Sequence, residues 1–238
     1  MNFRNRISTL LASTVFAAIA AAAPMTATAS MALSNAIVHF EPGEPSRQDV
    51  EITNTGDQPL YVQIDPRVVL QPGTASEQRV AVTDPREHGL LVTPNRLVIA
   101  PGASRALRLV KLAKQLDEER IFRVTARPVS GELEAESSGL KILIGYEVLA
   151  IFYPDKPNPD LQVTRSGRKL KVVNNGNTNV LLQEGFQCAT PDTELEDCTP
   201  LPGKRMYPGT SWEVDLPHDL PVRYYQSVGT RNFVETYP

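Results

Sequence analysis

The sequence predicts an all-β protein made of two immunoglobulin-like β-sandwich domains in succession. Three observations carry that prediction. Beyond its first residues the chain is a series of short apolar-polar alternating runs, rich in Val, Thr and Pro and separated by turn residues, as sandwich strands are. The same two turn signals occur twice, in the same order, once in each half. Between the halves stand Pro154, Pro157 and Pro159. Each fixes φ and lacks a backbone donor, so together they end a strand and make a stiff linker.

The elements follow in chain order. Arg4 and Arg6, the apolar run "ISTLLASTVFAAIAAAA" and the small residues Ala27-Thr28-Ala29 have the layout of a cleaved secretory leader. The run is Ala-rich and short for a membrane span, and the expected cut follows Ala29. In "DVEITNTGDQPLYVQI" (49–64), Val50 and Ile52 lead into Asn54-Thr55-Gly56-Asp57, and Leu60, Val62 and Ile64 lead out. Asn and Gly there predict a tight turn through positive φ. Next, "LVIAPGASRALRLV" (97–110) sets Pro101-Gly102 between two apolar runs. "AKQLDEER" (113–120) predicts a polar helical turn as connector, and "SGELEAESSG" (130–139) a mobile acidic loop. The second half repeats the signals as Asn174-Asn175-Gly176-Asn177 in "LKVVNNGNTNVLL" (170–182) and Pro208-Gly209 in "RMYPGTSWEVDL" (205–216). The division is thus a leader over 1–29, a first domain over 30–156 and a second over 157–238.

Composition excludes several functions. The formal charge is −3, and loss of Arg4 and Arg6 with the leader makes the remainder more acidic. Nucleic-acid binding would need a concentrated basic face. The only cysteines, Cys188 and Cys198, stand ten positions apart, which in an oxidising compartment predicts one structural disulfide. A redox pair favours C-x-x-C spacing, and no His neighbours either cysteine to suggest a metal. His39, His88 and His218 fit no ligand spacing, and neither a nucleophile elbow nor a glycine-rich phosphate loop occurs. The sequence therefore predicts no catalytic residue, no metal and no cofactor.

One stretch, "LKILIGYEVLAIFYP" (140–154), is long for a strand. Leu140, Ile142, Ile144, Tyr146, Val148, Ala150 and Phe152 form an apolar face; Lys141, Leu143, Gly145, Glu147, Leu149, Ile151 and Tyr153 form the other. At about 3.3 Å per residue it would reach roughly 45 Å, more than twice the usual strand. Either it spans a tall core, as a plain core strand would, or part of its apolar face serves another molecule.

The blocks "GLLVTPNRLVIAPGASRALRLVKL", "ERIFRVTARPV" and "LKILIGYEVLAIFYP", in that order after "IVHFEPGEP", resemble the periplasmic chaperones of usher-assembled pili. The second half, with "NNGNTNVLL", Cys188, Cys198 and "LPGKRMYPG", is similar to the common-pilus or alpha-type branch. The resemblance implies a boomerang of two immunoglobulin-like domains and a non-enzymatic function in the periplasm. The chaperone lends the last strand of domain one to a fimbrial subunit that lacks its own, then delivers it to an outer-membrane usher. On that reading Leu140, Ile142, Ile144 and Tyr146 form the donor strand, and Val148, Ala150 and Phe152 fill the protein's own core. Such strand addition draws affinity from the ladder and specificity from alternate side chains. The implied partners are fimbrial subunits and the usher, with a self-capping dimer as a further option and neither nucleic acid nor membrane insertion.

The family's basic pair, which grips the subunit's terminal carboxylate, falls here on Ile37 and on Leu149 or Ala150, none of them basic. Arg123, Arg127 and Lys156 are the candidate replacements, since a strand-borne guanidinium can present a fork to a carboxylate. Two other readings stand beside this one. One is an extracytoplasmic immunoglobulin-like binding module, and the other a chaperone-like protein with cargo other than pilus subunits.

Overall fold

The computed structural model describes residues 31–129, 143–190 and 197–238. The leader, the loop over 130–139, Leu140 and Ile142 lie outside them. The first sandwich contains β1 (Met31–Leu33), β2 (Ile37–Phe40), β3 (Arg47–Asn54), β4 (Leu60–Leu70), β5 (Gln78–Ala81), the one-turn helix α1 (Pro85–His88), β6 (Leu90–Thr93), β7 (Arg96–Ile99), β8 (Ser104–Lys111), β9 (Arg120–Val129) and β10 (Tyr146–Phe152). One sheet runs β1-β3-β8-β6; the other runs β2-β10-β9-β4-β5, with β7 also on β4. The inward residues follow the two-residue period: Val50 and Ile52, Leu107 and Leu109, Phe122, Val124 and Ala126 are all fully buried.

The second sandwich contains β11 (Leu161–Ser166), β12 (Lys169–Asn174), β13 (Val180–Gln187), β14 (Thr199–Leu201), β15 (Lys204–Met206), β16 (Ser211–Asp215), β17 (Val222–Val228) and β18 (Arg231–Tyr237). Its sheets run β11-β12-β16 and β14-β13-β17-β18, with β15 on β13. Leu182, Met206, Val222 and Tyr224 are buried at its centre. Cys188 and Cys198 form a disulfide just beyond β13. The Pro-rich segment spans from Phe152, the end of β10, to Leu161, the start of β11.

The repeated signals are repeated structure. Asn54 and Asn174, each wholly buried, sit at equivalent ends of β3 and β12. Asn54 Nδ2 donates to the carbonyls of Gln58 (2.7 Å) and Ile99 (2.9 Å), and its Oδ1 accepts from Gly56 N (3.0 Å). Asn174 Nδ2 donates to Thr178 O (2.9 Å) and Met206 O (2.8 Å), and its Oδ1 accepts from Gly176 N (2.9 Å). The Pro-Gly turns complete each module: Gly102 N donates to Asn54 O (3.0 Å) and Gly209 N to Asn174 O (2.8 Å). Both glycines lie at positive φ, 69° and 73°, as position i+2 of a Pro-Gly turn demands.

Three expectations need correction. Neither Gly56 nor Gly176 has positive φ, because the buried Asn side chain, not a left-handed backbone, closes each turn by accepting from the residue two ahead. Residues 113–119 are not helical. They form an extended strap whose backbone bonds go elsewhere: Asp155 N donates to Leu116 O (2.9 Å) and Glu119 N to Asn177 O (3.1 Å). The described helix is α1, where Asp84 accepts from Arg86 N, Pro85 starts the turn and Gly89 at φ 85° ends it. Finally, Leu143, Ile144 and Gly145 are outside β10. Pairing with β9 stops at Tyr146↔Ala126, short of Pro128, which has no backbone donor to continue the ladder, and Gly145 contributes no side chain to packing.

Candidate functional site

β10 is buried on both faces along most of its length. Val148, Ala150 and Phe152 point into the first core, where the Phe152 ring meets Phe40 at 4.7 Å and Phe122 at 4.8 Å between centroids. Leu149, Ile151 and Tyr153 point the other way and cluster with Val69, Ile121 and Tyr207. Tyr207 belongs to the second sandwich, so the back of β10 is the apolar part of the seam between the domains.

Towards its N-terminal end the strand leaves this cover. β2 pairs with Leu149–Phe152 alone, whereas β9 pairs with all of Tyr146–Phe152. Among the described residues, the edge of Tyr146, Glu147 and Val148 facing away from β9 therefore has no partner strand. Tyr146 is half-buried against the first core. Just before it Leu143 and Ile144 are 40% and 50% exposed, unusual for adjacent large aliphatic side chains beside an open edge.

The candidate anchor residues separate. Arg123, Thr125 and Arg127 share the outer face of β9, alternating with buried Val124 and Ala126. Arg123 stands 3.5 Å from the Glu147 carboxylate, and Arg127 3.5 Å from Asp65. Lys156 meets the second sandwich through its backbone, its carbonyl accepting from Asn177 Nδ2 (3.1 Å), and its side chain is exposed. Arg123 has two neighbours that sequence reasoning missed. Arg79 in β5 contacts Glu147 at 3.0 Å and Glu77 at 3.3 Å. Arg67 in β4 lies directly opposite Arg123 and donates to Arg79 O (3.4 Å). The Glu77 carboxyl is held below its ordinary value by the N–H of Gly73 and the Arg79 guanidinium. Arg67, Arg79 and Arg123 thus face Glu77 and Glu147, a patch with more cation than anion. Only the order β5-β4-β9-β10 brings these residues together; no local motif marks them.

The polar part of the seam centres on Glu119 in the strap. Its Oε2 accepts from Asn179 N (2.8 Å), Asn179 Nδ2 (2.6 Å) and Thr178 Oγ1 (3.2 Å), while its Oε1 is buried without a partner. Burial pushes this carboxyl above the ordinary glutamate value. Nearby, Tyr153 OH lies 3.0 Å from His39 Nδ1. Burial raises the Tyr153 phenol to about 12, and burial followed by the Arg205 charge lowers His39. Thr230 N donates to Glu41 (2.7 Å) at the far end. The Glu119 and Glu41 contacts bind the sandwiches to each other. Among the described residues no group of three or more His, Cys, Asp or Glu could hold a metal ion, and no helix is long and apolar enough to cross a membrane.

No family model matches the chain. It is 27% identical over 180 residues to the B subunit of CS1 fimbriae from Escherichia coli, covering 72% of this chain and 75% of that protein. It is 26% identical over 160 residues to the A subunit of CFA/I fimbriae from Escherichia coli, covering 64% and 67%. Among solved structures it resembles the class 5 fimbriae chaperone CfaA, with a TM-score of 0.62 at 21% identity over 87% of this chain and 98% of that one. A chain from the Salmonella enterica complex of SafA pilin with the SafB chaperone gives 0.61 at 18% identity, covering 88% and 97%.

Proposed function

We propose that this chain, which has the fold of the chaperones of chaperone–usher pili, is a periplasmic chaperone for fimbrial subunits. It lends the N-terminal part of the β10 segment to the subunit it binds, and passes that cargo to an outer-membrane usher. One observation carries the reading: β10 runs from a part locked on both faces to an edge without β2, preceded by exposed Leu143 and Ile144. A strand rooted in a rigid core and open beyond it is pre-ordered to receive another chain, which lowers the ordering cost of binding. Burying one exposed Ile contributes about 1.5–3 kcal/mol before that cost.

In this reading Leu140, Ile142, Ile144 and Tyr146 supply the side chains, with Tyr146 joining the lent segment to the protein's own core. Arg123, helped by Arg79 and Arg67, takes the subunit's terminal carboxylate in place of the family's basic pair, competing with Glu147. Arg127 and Lys156 are peripheral. The leader over 1–29 is cleaved on export, and two copies can cap each other's open β10 edges when no cargo is bound. The sequence relatives bear the names of fimbrial subunits, yet here each of two sandwiches fills its core with strands of this chain, as the chaperone fold does.

The test is capture of bound chains from the periplasm by the tagged protein, beside an Ile144→Asp twin and an Arg123→Ala, Arg79→Ala twin. Small β-rich secreted subunits should bind the wild type, be lost from the first twin and be weakened in the second. A partner that ignores Ile144→Asp would instead favour a binding module of another kind, and a partner unrelated to fimbriae a chaperone-like protein with other cargo.

A further inference from the structure

β18 closes the second sandwich, and among the described residues its far edge is open. It pairs with β17 along its whole length, Val222↔Tyr237 to Val228↔Arg231, without a register shift. No other described strand borders it. No proline and no bulge interrupts Arg231–Tyr237. It also carries Phe233 and Val234, 39% and 47% exposed.

The hairpin fixes which backbone groups point outward. Gly229, at φ 60°, and Thr230 form a two-residue turn, which closes on a hydrogen-bonded pair, Val228 with Arg231. Hydrogen-bonded and non-bonded pairs alternate along an antiparallel ladder. Arg231, Phe233 and Glu235 therefore bond back to β17. The N–H and C=O groups of Asn232, Val234 and Thr236 face the open edge.

A partner strand must bond to those three even-numbered residues. If the partner is another β18 running antiparallel, even residues must pair with even, which leaves few registers. Centring the pair on Phe233 sets Asn232 opposite Val234 twice, as bonded pairs, with Phe233 opposite itself. The same register puts Arg231 opposite the other copy's Glu235, again twice. Neither Arg231 nor Glu235 has an ion-pair partner among the described residues. Sliding the centre to Asn232 faces Arg231 with Phe233, and sliding it to Val234 faces it with Tyr237; both lose the charge match. Opposite charges and paired aromatics directly across strands stabilise an antiparallel pair.

We propose that β18 is a self-association edge, through which two copies of this chain pair antiparallel about Phe233 and join their second sandwiches into one continuous sheet. The surface is separate from the β10 edge in the first sandwich, so each copy keeps that edge available. Five residues of each strand, Arg231–Glu235, make a small contact, and the dimer is accordingly weak and concentration-dependent.

The test is sedimentation equilibrium of the mature chain over a wide concentration range. The mass should rise towards twice that of the monomer. Arg231→Glu and Glu235→Arg each set like charges opposite, and each alone should raise the concentration needed for dimer by about tenfold or more. An equimolar mixture of the two variants restores opposite charges at both ends and should recover the dimer, which misfolded variants could not do. With the wild type alone, exchange protection should grow with concentration at the amides of Asn232 and Val234, and stay constant at Arg231 and Phe233. A mass that never exceeds the monomer, a dimer indifferent to both reversals, or a mixture that fails to recover would overturn the proposal. A dimer abolished by Ile144→Asp and not by the reversals would assign association to β10 instead.

Discussion

Replacing Asn174 with Ala should cost the second sandwich about 3 kcal/mol. The side chain makes three hydrogen bonds in a site closed to water: Nδ2 to Thr178 O and Met206 O, and Oδ1 from Gly176 N. Each contributes about 0.5–1.5 kcal/mol net, and a buried group left unpaired tends to the upper part of that range. Trp212, the single tryptophan, lies in β16, which pairs directly with β12, so its fluorescence reports the domain in question. With a urea dependence of about 1–3 kcal/mol per molar, the midpoint should fall by about 1–3 M. Asn175→Ala, next door on the exposed side of the turn, is the control and should stay within about 0.5 kcal/mol of wild type. A loss below about 1 kcal/mol in Asn174→Ala, or equal losses in the two variants, would refute the assignment of the turn to the buried side chain.

Two further outcomes follow from the seam and the disulfide. Burial raises the Glu119 carboxyl above its ordinary value of 4.5, so the folded state holds that proton more tightly than the unfolded one. The stability this provides is complete below pH 4.5 and fades as pH rises through the folded-state value. Glu119→Gln should flatten stability against pH in that window, and an unchanged profile from urea titrations at several pH values would contradict the placement. Cys188→Ser opens a loop of ten residues and should destabilise the second sandwich by about 2–3 kcal/mol. Cargo capture by the first sandwich should persist. Trp212 fluorescence reads the one and co-purification the other.

The features legible in the sequence are those that repeat locally. Asn54 and Asn174 announced two modules because each precedes a Gly by two residues and is followed by a Pro-Gly turn. Val148, Ala150 and Phe152 were readable as core because alternation on a strand has one physical consequence. The role of Leu149, Ile151 and Tyr153 was not, since an apolar residue says that it will be covered but not by what; Tyr207 comes from the other sandwich. The "AKQLDEER" strap looked helical because its residues are good helix formers, and bonds to Asn177 and Asp155, set by the packing of two domains, overrode that preference. Arg79 and Arg67 reach Arg123 only through strand order, which no local pattern encodes.

The most direct test of the central claim is amide exchange on the captured complex, compared with the protein alone. If β10 lends its open segment, the amides of Leu143, Gly145 and Glu147, on the side away from β9, should gain strong protection on binding, while those of Tyr146 and Val148, already turned towards β9, and of Leu149–Phe152, in the ladder between β2 and β9, should change little. Protection confined to other surfaces, with Leu143, Gly145 and Glu147 exchanging as they do in the protein alone, would contradict strand donation.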